Sequence, residues 1–152
     1  MMLLELNDNE LSKLIDKMAR DILISTSSTE SRCCKSETRG LMIARSYEDY
    51  VYAVNICKLA FLLITSTYCP YCHMFRPVFA KVAQLNTGKA VFIEVNADYM
   101  PEIAWSYNVF STPAIVVLVN GKPIDVIIGY VPFDNFNNYV NEILNKFGCS
   151  NT

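Results

Sequence analysis

Cys69 and Cys72 lie three residues apart, with Pro70 and Tyr71 between them and His73 directly after. Their types and spacing could do redox chemistry. They follow an apolar run over residues 59–64 that reads as a buried strand, and they precede residues 74–82, which read as a helix. A Cys-X-X-Cys pair at the start of a helix, after a strand, points to a redox-active dithiol. A thiolate there faces unpaired backbone N–H groups and the positive end of the helix dipole. Both lower its pKa and make it nucleophilic. Pro70 suits the first helical turn, where its missing N–H would be unpaired anyway. Residues three apart share a helix face, so Cys72 can attack a disulfide formed on Cys69.

The same residues satisfy other chemistries. Cys69-Pro70-Tyr71-Cys72-His73 matches the c-type haem attachment pattern, but the strand–turn–helix setting suits thiol exchange better. Cys69 and Cys72 could also be half of a four-cysteine zinc or iron–sulfur site. The chain has no second Cys-X-X-Cys, so Cys33 and Cys34, or a second copy, would have to complete it. A third alternative is a non-catalytic interaction module. The expectation is redox exchange with no cofactor and no metal. His73 reads as a helix-surface residue, or as a modest stabiliser of the thiolate.

Composition narrows the function further. The chain has 152 residues, 52% hydrophobic and 18% charged, with a formal net charge of −2. That is a globular composition with room for one domain and an appendage. Lys and Arg form no basic face for nucleic acid. No apolar run approaches the roughly 20 residues of a membrane span. Residues 1–10 lack a basic start followed by an apolar core, so the expectation is a cytoplasmic protein. In a reducing cytosol, cysteines in a Cys-X-X-Cys suggest catalysis or metal binding, although hyperthermophiles also use structural disulfides inside cells.

The elements that would position the dithiol can be read in order. Residues 3–24 carry an apolar stripe at helical spacing, capped by Asn9, which suits docking on the domain or a homodimer contact. Its mixed charges argue against a membrane-surface role. Residues 25–40 are Ser/Thr-rich and read as a linker or surface loop. The vicinal Cys33-Cys34 within it are either exposed thiols or bonded elsewhere, with Cys149 a candidate partner. A short strand over 41–44 follows. Ser46 and Asp49 then suggest a capping box opening a helix, in which Cys57 reads as a buried apolar filler. After the dithiol helix come a strand over 90–96, a helix over 99–107 and a strand over 114–119. Asn120-Gly121 signals a tight hairpin into a strand over 122–128. An amphipathic helix over 132–147 closes the chain. The order βαβαβαββα predicts an α/β fold, with a mixed sheet and helices on both faces.

On these residues the chain resembles the thioredoxin family. Pro77, five after Cys72, resembles the proline that kinks the active-site helix. Pro113, 41 residues after Cys72, falls at the family's cis-proline, and Gly121 and Gly129 fall at family glycines. The resemblance implies a thioredoxin-like domain over 41–152, preceded by the helix and linker of 1–40. It implies a thiol:disulfide oxidoreductase acting on protein disulfides, recharged by a reductase or other thiol donor, with Cys69 attacking and Cys72 resolving. Pro113 would orient the backbone of Thr112 toward an extended substrate. Tyr68, Pro70, Tyr71, Phe110 and Tyr130 would line its binding face. Cys-Pro-Tyr-Cys is similar to the glutaredoxin motif, without that family's Gly-Gly segment. Tyr68 stands where thioredoxins carry Trp, Leu63 where they carry a buried Asp, and Glu94 where some carry Lys. With Leu63 apolar, Glu94 or a water becomes the expected proton acceptor for Cys72.

Overall fold

The computed structural model describes Ser12, Lys13 and residues 33–150. The helix expected over 3–24, with its homodimer contact, lies outside the described residues apart from Ser12 and Lys13. The chain falls into two units, 1–31 and 32–152, and the second carries every element below.

The central strand is β2, Leu59–Thr65, and all seven of its residues are buried. Ala60, Leu62 and Ile64 join the core on one face of the sheet, and Leu59, Phe61 and Leu63 join the core on the other. That explains the unbroken apolar run: alternation with polar residues is absent because neither face meets water. Around it the sheet runs β1 (Leu41–Ile43), β3 (Val91–Asn96), β2, β4 (Ala114–Val119) and β5 (Lys122–Ile128). β1, β3 and β2 are parallel, and β4 and β5 run antiparallel to their neighbours. The mixed sheet is the one the sequence predicts.

Helices α1 (Tyr47–Val54) and α3 (Pro101–Ser106) cover one face, and α2 (Pro70–Leu85) and α4 (Phe133–Lys146) cover the other. α1 starts as expected: the Ser46 hydroxyl accepts from the Asp49 N–H at 3.1 Å, while the Asp49 carboxylate accepts from the Arg45 N–H. Between α2 and α4 the core is aromatic. Phe75 meets Phe136 edge-on at 5.3 Å, and Phe61 stacks on Phe92 at 4.9 Å. Each such side chain, buried, stabilises the fold by roughly 1.5–3 kcal/mol.

The β4–β5 hairpin turns on Asn120 and Gly121, both at positive φ (52° and 82°). This is the backbone a two-residue turn with the right twist requires. β5 is an edge strand carrying Lys122, Pro123 and Asp125, and its register shifts beside Val117. Proline and charge are tolerated there because the outer edge has no partner strand among the described residues.

Residues 33–40 differ from the expected Ser/Thr-rich loop. Cys33 and Cys34 are buried and bonded: Cys33 to Cys149 and Cys34 to Cys57. Exposed free thiols are therefore excluded, and Cys57 is a disulfide partner rather than an apolar filler. Lys58 donates its N–H to the Cys33 carbonyl and Lys35 donates to that of Ile56. The segment thus lies against the start of β2. Cys33 belongs to the core under α2 and α4, and Cys34 to the core under α1. Two adjacent residues tie both helical layers to the sheet.

Candidate active site

β2 ends at Thr65, and the chain turns through Ser66, Thr67 and Tyr68 into α2. Three contacts fix this turn. Thr67 donates its N–H to Asp98 Oδ2 at 2.8 Å, Asn96 Nδ2 donates to Thr67 Oγ1, and the hydroxyls of Ser66 and Thr112 are 2.8 Å apart. Hydrogen bonding from Thr67 to Asp98, by its backbone N–H first and then its side chain, holds the Asp98 carboxyl below the usual carboxylate range.

Cys69 is the N-cap of α2 and Pro70 stands in its first turn. The Cys72 N–H donates to Cys69 Sγ at 3.1 Å. A sulfur occupies the place where a capping oxygen usually satisfies the first free amides. The helix therefore presents a backbone donor to any negative charge developing on Cys69. Cys69 and Cys72 are joined as a disulfide in this structure. Cys72 is fully buried and Cys69 is 7% exposed.

The Thr112–Pro113 bond is cis, and the Thr112 carbonyl oxygen lies 3.6 Å from Cys69 Sγ. Gly129, at φ 102°, donates its N–H to the Pro113 carbonyl at 2.8 Å, tying the end of β5 to this loop. The structure thus brings Cys69, Cys72, Thr112 and Pro113 together.

The aromatic side chains expected around them divide into two kinds. Tyr68 (96%), Phe110 (79%) and Tyr71 (61%) are the most exposed, while Tyr130 (38%) also rests edge-on against Phe75 at 5.9 Å. Phe110 is thus not a core residue. Pro70 and His73 are exposed on the same helix tip.

A charged pair lies between β3 and α2. Glu94 on β3 pairs in register with Leu63 on β2 and is buried. Arg76 donates from Nε to Glu94 Oε1 and from a terminal nitrogen to Oε2, each at 2.7 Å, and the Thr65 hydroxyl donates to Oε2 at 3.0 Å. The hydrogen bonds to Glu94 raise the Arg76 guanidinium above its ordinary value, against partial burial. Oε1 of the expected proton acceptor thus accepts one hydrogen bond and Oε2 two. Arg76, Thr65 and Asp98 are not in the sequence prediction. Arg76 left a signal: a carboxylate in a buried strand needs a cation, and Arg76 is one turn beyond Cys72 on the same helix face.

The metal alternative loses its extra ligands, because Cys33, Cys34, Cys57 and Cys149 are committed to disulfides at the other end of β2. Among the described residues no group of three or more His, Cys, Asp or Glu side chains is arranged to hold a metal ion. Among the same residues no helix is long and apolar enough to cross a membrane.

A mixed sheet whose central strand feeds a dithiol helix, faced by a cis-proline loop, defines the thioredoxin fold. Solved thioredoxins share it. That of Malassezia sympodialis is 23% identical, with a TM-score of 0.60 over 74% of this chain and 95% of its own. A single-substitution mutant of a thioredoxin from Halobacterium salinarum is 16% identical, with a TM-score of 0.63 over 68% of this chain and 89% of its own. Among curated proteins, Staphylococcus aureus thioredoxin is 33% identical over 81 residues, 53% of this chain and 74% of its own length. The thioredoxin family model matches residues 40–142. The chain belongs to the thioredoxin family and is a protein-disulfide oxidoreductase. Family membership implies protein substrates and a reductase partner.

Proposed function

We propose that Cys69 and Cys72 are the exchanging pair and that extended segments of protein are the substrate. The observation that carries this reading is the Cys72 N–H donating to Cys69 Sγ at a helix N-terminus, beside the Thr112 carbonyl. In the reduced protein the Cys69 thiolate attacks one sulfur of a substrate disulfide. The other substrate sulfur leaves as a thiolate and takes a proton from solvent. Cys72 then loses its proton and attacks Cys69 Sγ, which releases the first substrate sulfur as a thiolate. The substrate gains two electrons, the Cys69–Cys72 disulfide forms, and a reductase or other thiol donor returns the electrons. The Cys72 proton leaves to solvent, to the departing substrate thiolate or to Glu94, whose Oε1 accepts a single hydrogen bond. Glu94 also contributes as a charge.

Tyr68, Tyr71 and Phe110 offer apolar surface to an exposed substrate segment, and Thr112 offers backbone for strand-like pairing. Tyr130 and Pro70 complete this face. Reduction of a protein disulfide with dithiothreitol as donor tests the reading. Cys69→Ser abolishes turnover, and Cys72→Ser accumulates a mixed disulfide on Cys69. Turnover retained by Cys69→Ser would overturn it.

The other four cysteines bear on the expected cytoplasmic location. Two buried structural disulfides fit an oxidising compartment, or the cytoplasm of an organism that keeps intracellular disulfides, more readily than an ordinary reducing cytosol.

A further inference from the structure

Arg76 and Glu94 form a partly buried pair in the layer between α2 and β3, with Arg76 one helical turn beyond Cys72. Charged side chains are rarely buried unless paired. Glu94 is 5% exposed, and the Arg76 side chain keeps about a third of its surface in solvent, at 35%. Cys72 and Arg76 are four apart on α2, so they are neighbours on its inner face. Thr65, four residues before Cys69, supplies the third contact. The network therefore joins β2, β3 and α2, one helical turn beyond Cys72. Leu63, the residue of β2 opposite Glu94, is fully buried and apolar, so it screens nothing.

We infer that Arg76 is a positioning residue for the dithiol: by pairing with Glu94 it keeps the charge one helical turn beyond Cys72 balanced, and so sets how readily the Cys69–Cys72 pair is reduced. The inference rests on Cys69–Cys72 being the exchanging pair. The physical ground is the low local dielectric, in which a unit charge one helical turn away acts strongly on a thiolate. An unpaired guanidinium there favours the thiolate and hence the reduced form. The balanced pair removes that bias. A bidentate fork rather than an ammonium suits the task, because it fixes the guanidinium to both carboxylate oxygens. Other charged and titratable groups are placed differently. Asp98 is turned to Thr67, and Arg45 and Tyr99 line a cleft of about 300 Å3 that reaches Glu94 from the β1 side.

The test is the equilibrium of Cys69–Cys72 against glutathione buffers at fixed pH, followed by thiol alkylation and mass. It needs no protein substrate. Glu94→Gln is close to isosteric and leaves Arg76 unpaired. We expect the equilibrium to move toward the dithiol by on the order of tenfold, with faster alkylation of Cys69 at pH 6. Adding Arg76→Met to Glu94→Gln removes both charges and returns the equilibrium to within about twofold of wild type. Arg76→Lys alone keeps the charge, and we expect a shift of less than about threefold. A structural role would not produce a shift in one variant and its cancellation in the double. An unmoved equilibrium in Glu94→Gln, or a double variant no closer to wild type than the single, overturns the inference. Failure of the wild-type protein to reduce any protein disulfide would instead overturn the exchange reading, since the glutathione equilibrium is measured separately.

Discussion

At one end of β2 the chain closes a disulfide across a sequence separation of 3, and at the other it closes two, across 116 and 23. Seven residues of strand lie between them, about 20 Å at roughly 3.3 Å per residue. Exposure does not tell the two ends apart: Cys69 is 7% exposed, Cys33 7% and Cys34 8%. What differs is the covalent loop and the local field. The Cys69–Cys72 bond spans one turn of a helix that forms in any case, so opening it frees almost no chain. Its sulfur also sits where backbone amides favour a thiolate. The Cys33–Cys149 bond spans most of the described unit. Opening it returns a large loop-closure entropy to the unfolded chain. One disulfide is built to open while the fold stays intact; the other two belong to the fold's stability.

The sharpest way to break this contrast is to remove one sulfur at the reacting end. Cys69→Ser takes disulfide reduction down to the uncatalysed background, while its midpoint of denaturant unfolding stays close to that of the reduced wild-type protein. If activity survived, the distinction between the two ends would be lost.

The converse variants come next. On the chain-entropy model, losing the Cys33–Cys149 bridge by double serine substitution costs about 5 kcal/mol, and losing Cys34–Cys57 about 3 kcal/mol. Equilibrium unfolding in guanidinium reads both. Turnover per folded molecule stays at the wild-type value. Equal losses for the two bridges would show that loop length is not the controlling variable. A drop in turnover per folded molecule would show that the two ends of β2 are coupled.

A smaller effect separates the two kinds of aromatic residue around Cys69. Tyr68→Ala and Phe110→Ala remove exposed rings, so each should raise KM for a protein disulfide about threefold to tenfold, the equivalent of roughly 1 kcal/mol of contact. Neither should change the rate with a small aromatic disulfide. Tyr130→Ala also strips a ring from Phe75 and should lower stability by about 1 kcal/mol as well. Steady-state kinetics with both substrates, beside unfolding curves, distinguishes these outcomes.

The same contrast marks what could be read from the sequence. The dithiol end was legible because its determinants are local. A strand period, a helix start, a Cys-X-X-Cys and an Asn-Gly turn each sit within a few residues, and Pro113 follows at a fixed spacing. The staple end was not. Six cysteines allow fifteen pairings, and the partners of Cys33 and Cys34 are set by how β2, α1 and the segment after α4 meet in space. Ser/Thr-rich composition made residues 33–40 look like solvent-exposed loop, yet two disulfides and hydrogen bonds to Ile56 and Lys58 hold part of that segment in the core. Glu94 shows the intermediate case. The sequence made it a candidate proton acceptor for Cys72 and named no partner. Its partner, Arg76, emerged only when α2 was laid across β3.

The finest contrast is within the turn that carries Cys69. Asp98 is exposed, and its carboxyl is held below the usual range by accepting from Thr67. A depressed folded-state pKa means that the carboxylate supports the turn above the ordinary carboxylate value, near 4. The support fades as pH falls through the lower, folded-state value. The Thr67 amide proton resonance should therefore titrate with a midpoint below that ordinary value, and Asp98→Asn should remove the titration. Because the site is open to solvent, the energetic effect is small, and disulfide reduction at neutral pH should slow by less than about twofold. A large loss of turnover in Asp98→Asn would mean that this turn, and not the helix N-terminus, governs the reactivity of Cys69. Asp98 would then have to be counted with the reacting end of β2 rather than as an anchor beside it.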